Sequence, residues 1–141
     1  MTDIVLPSLE AYPLHAVDTL RYGDTDRQGH VNNAVFATFC ETGRVAFLYD
    51  PERLRMPPES GFVLARLVID FRAEVTWPGT VAIGTRVSGI GRSSFQMAQG
   101  LFQHGRCVAT AENVVVLVDE TTRRSRPLTE DIVQALERYR R

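Results

Sequence analysis

The densest set of reactive side chains lies in one stretch, Arg21-Tyr-Gly-Asp24-Thr-Asp26-Arg-Gln-Gly29-His30-Val-Asn32-Asn33. Two carboxylates (Asp24, Asp26), an imidazole (His30) and the amides of Asn32 and Asn33 lie in it, and a proline-free run, Ala34 to Tyr49, follows at once. Asn32 or Asn33 is a suitable N-cap for a helix over that run. The first turn of a helix carries N–H groups with no intrahelical partner and the positive end of the dipole. It can stabilise an anion, including an oxyanion developing on a carbonyl. A carboxylate held beside such a turn can attack that carbonyl or activate water to do so. Acyl-group hydrolysis is therefore a coherent chemistry for this segment.

The elements that must position these groups follow from periodicity. Asp18 to Tyr22 reads as a short strand running into the polar loop. Ala34 to Tyr49 has few polar residues (Thr38, Glu41, Thr42 and Arg44), which predicts a helix buried in a core. Pro51, the Pro57-Pro58 pair and Ser60-Gly61 mark an irregular connection. Period-two patterning then predicts strands at Phe62–Arg72, Thr80–Ile90, Ser93–Gln103 and Arg106–Val118. In the first of these, Ala65, Leu67, Ile69 and Phe71 share one face, and Arg66, Asp70 and Arg72 the other. Trp77-Pro78-Gly79, Gly89 to Arg92 and His104-Gly105 supply the turns. Thr129 to Tyr139 carries an apolar stripe, Ile132, Val133, Leu136 and Tyr139, expected of an amphipathic surface helix. Short turns between consecutive strands imply antiparallel pairing. The class is α+β: a five-stranded antiparallel sheet wrapped around a long central helix, plus a C-terminal surface helix. Such a layer leaves sheet edges bare, so a homodimer or homotetramer that continues the sheet is expected.

Composition bounds the rest. At 141 residues the chain reads as one domain, with a core from about 15 to 128 and a helix from about 129 to 140. Sixteen basic against seventeen acidic residues give a net charge of -1, which argues against a nucleic-acid partner. Two cysteines, Cys40 and Cys107, are too few for a disulfide framework and lack zinc-ligand spacing. His15 and His104 form no metal motif either, so no metal is expected. No apolar run approaches about 20 residues and no basic leader precedes one, so the expectation is a cytoplasmic protein without a membrane partner.

Asp24-Thr-Asp26-Arg-Gln-Gly29-His30-Val31-Asn32-Asn33, with Phe36 and Glu41 following, resembles the signature of hotdog-fold thioesterases. The pattern is most similar to the 4-hydroxybenzoyl-CoA thioesterase-like acyl-CoA hydrolases. Gly91 to Phe95 and Ala109 to Val118 resemble later strands of that family, so the similarity covers about Thr19 to Leu128. The resemblance implies a hotdog fold and hydrolysis of an acyl-CoA to free acid and CoA. It places Asp26 as nucleophile or general base and the Asn33 N–H as the donor that polarises the thioester carbonyl. Arg92, Ser93 and Ser94 match a turn where relatives hold the CoA nucleotide, in a site at a dimer interface. Coenzyme A is then part of the substrate, and no separate cofactor is implied. His30, where the benzoyl branch is apolar, favours an aliphatic acyl chain.

Plainer roles stand beside these. Asp26 could serve an Asx turn, and Asp24 reads as a structural acceptor within the loop. His30 either orients Asp26 or substrate, or holds the turn. Glu41, about 12 Å along the helix from Asn33, pairs with Arg44 or Arg66, or lines the pocket from a partner subunit. Glu112 reads as a paired buried or interface carboxylate, and Arg123, Arg124 and Arg126 as a solvated loop within reach of CoA phosphates. Two other functions compete with hydrolysis. One is a hotdog enoyl-CoA hydratase or dehydratase, although Gly23-Asp24 is followed by no Asn-Pro. The other is a non-catalytic acyl-CoA-binding module.

Overall fold

The computed structural model describes residues 5–140. Its elements run β1 (Leu14–Thr19), α1 (Val35–Leu48), β2 (Ser60–Phe71), β3 (Thr80–Ile90), β4 (Ser94–Gln103), β5 (Arg106–Asp119) and α2 (Glu130–Arg138). The strands form one antiparallel sheet in the order β1-β3-β4-β5-β2, with α1 against its concave face. This is the hotdog arrangement. Among the described residues no helix is long and apolar enough to cross a membrane.

Two expectations need correction. The first strand lies earlier than Asp18–Tyr22, pairing Leu14 to Thr19 with Thr85 to Thr80. Leu20 is buried and still donates to the Gly79 carbonyl (2.9 Å), but Tyr22–Asp24 turns away as 3-10 helix. In β2 the register shifts between Leu64 and Arg66. Ala65 is the extra residue of this bulge. The strand's concave set is therefore Phe62, Leu64, Leu67, Ile69 and Phe71, opposite Leu117, Val115, Asn113, Ala111 and Ala109. The C-terminal helix is amphipathic, as expected, with one face packed on the core. Thr129 caps it (Ile132 N to Thr129 Oγ1, 3.2 Å), and Ile132, Ala135 and Leu136 are buried with Phe47, Val87 and Phe95. Val87 N donates to Tyr139 O (2.9 Å), so the chain end sits beside β3 where β1 has stopped.

The long helix is buried on one side only. Phe36, Phe39, Cys40, Gly43, Arg44, Phe47 and Leu48 are covered, whereas Val45 and Tyr49 are 46% and 55% exposed. Gly43 sets how closely α1 approaches the sheet. A Cβ there would lie 2.6 Å from Ile83 Cγ2 and 2.7 Å from Gln99 Nε2. Buried amides seal the contact. Gln99 Nε2 donates to the Cys40 carbonyl and to Thr85 Oγ1 (3.0 Å each), and Asn113 Nδ2 donates to Gln99 Oε1 (2.9 Å). The helix covers β1, β3 and β4 and leaves a cleft toward β2, whose Leu64 and Phe71 are 40% and 49% exposed.

Candidate active site

Residues 20–34 form a small hairpin fastened at both ends. Asp24 is buried, and its Oδ2 accepts the Arg21 N–H (2.9 Å) while its carbonyl accepts the Asn32 N–H (2.9 Å). It holds the loop shut, as a structural acceptor would. Inside it, Asp26 N donates to His30 O (2.7 Å) and Gly29 N to Asp26 O (3.0 Å). Gly29 takes φ +83°, a conformation glycine adopts without strain. Val31 N donates to Val75 O (2.8 Å) and His30 bridges Thr76, which docks the hairpin on the segment before β3.

This construction orients Asp26. Its Oδ1 accepts the N–H groups of Gln28 (2.9 Å) and His30 (3.3 Å), an Asx-type turn. No hydrogen bond engages Oδ2 among the described residues. The turn and a chemical role are thus compatible: one oxygen is anchored and the other is available. His30 steadies Asp26 through its backbone. Its side chain points elsewhere, Nε2 lying 3.0 Å from Oε2 of Glu74.

The helix start completes the arrangement. Asn32 Oδ1 accepts the Ala34 N–H (3.0 Å) in the turn leading into α1, but the N-cap is Ala34, with no side-chain cap bond, and not Asn32 or Asn33 as expected. The Asn33 carbonyl accepts the Phe36 N–H (3.2 Å), whereas the Asn33 N–H donates to nothing among the described residues. Asp26, His30, Asn33, Phe36, Phe71 and Glu74 line one cavity of about 350 Å³. Asp26, with one unbonded carboxylate oxygen, and Asn33, with an unbonded N–H just ahead of α1, therefore border a shared space, walled by Phe36 and Phe71 with ring centroids 5.1 Å apart. A larger depression of about 670 Å³ adjoins it across Ala73 and Glu74 but contains no helix start.

The remaining candidates lie apart from this cavity. Arg92, Ser93 and Ser94 form the β3–β4 turn, where the Arg92 and Ser93 carbonyls accept Leu128 N (2.8 Å) and Leu117 N (2.9 Å). Eleven residues of β3 separate that turn from the Thr80 end beside the hairpin, about 35 Å at strand rise. One chain does not bring Arg92 to Asp26. Glu41 is exposed over a separate groove with Arg44, and it forms no ion pair with Arg44 or Arg66 among the described residues. Arg66 lies on the convex face, opposite Leu67, as its place in the alternation predicts. Glu112 is on that face too, exposed rather than buried. No three His, Cys, Asp or Glu side chains among the described residues are placed to hold a metal together.

Glu74 and Phe71 were invisible as site residues in the sequence. They lie some forty positions after Asp26 and arrive only because residues 75 and 76 pair with the hairpin. Both cysteines are buried, and burial lifts the Cys40 thiol to about 11.

Comparison with known proteins agrees with this fold. The sequence matches the family profile of the thioesterase-like superfamily over residues 20–136. A Pseudomonas aeruginosa protein of known structure is 27% identical, with a TM-score of 0.85 over 95% of this chain and 96% of that one. A Thermus thermophilus thioesterase, solved in complex with coenzyme A and zinc, is 30% identical, with a TM-score of 0.80 over 92% of this chain and 96% of its own. A predicted thioesterase from Bacillus stearothermophilus is 25% identical at a TM-score of 0.78, covering 91% and 96%. No curated protein matches the sequence significantly.

Proposed function

The chain belongs to the thioesterase-like superfamily and is a thioester hydrolase, and on that premise we propose that it hydrolyses acyl-CoA thioesters at the Asp26–Asn33 cavity. The observation that carries this reading is the lining of one cavity by Asp26, with one free carboxylate oxygen, and Asn33, with an unbonded N–H just ahead of α1. In this mechanism the thioester carbonyl points at the Asn33 N–H, which stabilises the charge that develops on oxygen. Asp26 Oδ2 attacks the carbonyl carbon or takes the proton of the attacking water. The tetrahedral intermediate then collapses, the C–S bond breaks and CoA leaves as the thiolate; on the nucleophilic route a water then cleaves the Asp26–acyl anhydride, releasing the acid and restoring the carboxylate. Coenzyme A is part of the substrate, and the chain's own groups carry the chemistry.

The oligomer follows from the same logic. The β2 edge is unpaired, and Val63, Leu64 and Phe71 along it are 45%, 40% and 49% exposed. A bare edge of that kind is a template for another strand. A second copy pairing antiparallel along β2 brings its Ser60 end beside the Phe71 end of the first. That arrangement moves the partner's β3–β4 turn and helix α1 toward the Asp26 cavity. Arg92, Ser93, Ser94 and Glu41 join the site, in this reading, across a dimer.

The test is thiol release from short, long and aromatic acyl-CoAs, with crotonyl-CoA hydration assayed alongside and solution mass measured. Release from at least one ester, by a dimer or larger, supports the reading. Hydration without release points to a hydratase. Binding without either reaction leaves an acyl-CoA-binding module.

A further inference from the structure

The Asp26 cavity continues past Glu74. Ala73 and Glu74 line both that cavity and the larger depression of about 670 Å³, so the two adjoin. Their walls differ in kind. The Asp26 cavity has the apolar surfaces of Val31, Phe36 and Phe71, whereas Thr76, Gln103, His104 and Arg106 border the depression.

The frame of the depression is fixed by hydrogen bonds. Gln103 is buried and clamps the Thr76 main chain, its Oε1 accepting the N–H (3.1 Å) and its Nε2 donating to the carbonyl (2.8 Å). The Val108 carbonyl accepts the N–H groups of Arg72 (2.8 Å) and Ala73 (3.0 Å). Arg106 lies two strand residues from Val108, about 7 Å along β5. Its side chain is exposed and makes no hydrogen bond or ion pair among the described residues. Glu74, the one carboxylate bordering the depression, lies 3.0 Å from His30 and does not pair with Arg106. A guanidinium without an anion of its own, in a polar depression adjoining the reaction site, suits an anion carried by the substrate.

We propose that the depression receives the thiol side of the thioester and that Arg106 holds the phosphate closing the pantetheine arm of CoA. The inference rests on the thioesterase reading of the Asp26 cavity and fixes which way the substrate lies across it. The two arms of an acyl-CoA differ as the two spaces do. The acyl arm is apolar and matches Phe36 and Phe71, whereas the pantetheine arm carries amides and ends in a phosphate. Arg106 offers that phosphate paired N–H donors in a planar fork.

The experiment compares kcat/KM for the acyl thioesters of phosphopantetheine and of pantetheine, which differ only by the phosphate. The acyl group is the one released fastest from CoA. Native protein is expected to prefer the phosphorylated ester by about fivefold, the effect of one charged contact at an exposed site. Arg106→Gln should bring the ratio near one through KM, and Arg106→Lys should keep part of the preference. The native ratio stands as a test even if a variant folds poorly. Equal turnover of the two esters, or preference for the pantetheine ester, overturns the inference while thioester hydrolysis stands. A preference that Arg106→Gln leaves intact also overturns it, because the phosphate is then held elsewhere. So does an equal loss of kcat on both esters, the mark of a structural role. Release of thiol from no ester removes the reading beneath it, and the inference with that reading.

Discussion

Residues 20–34 and the sheet-facing side of α1 are both rich in polar groups, but they satisfy them by different means. In the hairpin, main-chain groups bond main-chain groups or the carboxylates of Asp24 and Asp26, and Gln28, Asn33 and Asp26 itself stay exposed. On α1 the polar atoms are buried, and amides of two strands pass a chain of side-chain hydrogen bonds from Arg44 to Thr85 on a third. The first construction leaves one donor and one acceptor unused beside a cavity. The second leaves no buried side-chain polar atom unmatched among the described residues. Reactivity and stability are thereby separated along a single helix: its start presents unbonded groups, and its middle is locked.

That separation can be broken from either side. The largest expected effect is at the helix start. Asn33→Pro removes the N–H just ahead of the helix N-cap, Ala34, where no hydrogen bond among the described residues is lost. It should lower kcat by about 10²–10³, while Asn33→Ala keeps most of the rate and both melt close to the native protein. Equal losses from the two variants would assign the effect to the side chain instead. Next comes the locked region. Gly43→Ala forces a methyl against Ile83 and Gln99 and should destabilise by about 1–3 kcal/mol in denaturant unfolding. An unchanged midpoint would mean that α1 and the sheet separate at little cost. Glu74→Gln removes the carboxylate opposite His30, and since Glu74 is 70% exposed the change in stability should stay within about 1 kcal/mol. A large loss of stability there would make the pair a structural tie rather than part of the cavity rim. The smallest effect is on the cysteines. With burial holding Cys40 near 11, its thiolate is scarce at pH 8, so alkylation should be negligible in the native protein and complete after unfolding. Rapid native alkylation would show that the α1 region opens readily.

The sequence shows some of these features more clearly than others. The strand Thr80–Ile90 is read with its observed ends, and α1 within one residue at each end, because alternation and a proline-free apolar run are local signals. β1 is misplaced because Leu20, though buried, lies past the end of the strand ladder in a loop. The β2 bulge is hidden for a similar reason. A single inserted residue in the apolar run Phe62 to Ala65 leaves no mark on composition, yet it moves Phe62 and Leu64 onto the concave face. Within the site, Asp26, His30 and Asn33 are visible because they are neighbours in the chain. Glu74 and Phe71 depend on long-range pairing of residues 75 and 76. Arg106 looks like the first residue of a strand. Only the fold sets it on a depression that adjoins the Asp26 cavity.

The central claim is that the anchored Asp26 carboxylate performs the hydrolysis. Its most direct measurement is the rate of CoA thiol release by the native protein and by Asp26→Asn, with thermal unfolding followed on the same samples. The asparagine can still accept the Gln28 and His30 N–H groups, so the hairpin is preserved. The account predicts that Asp26→Asn loses most of the rate while its melting temperature stays close to native. Equal rates from the two proteins would contradict it and move the catalytic group elsewhere in the cavity.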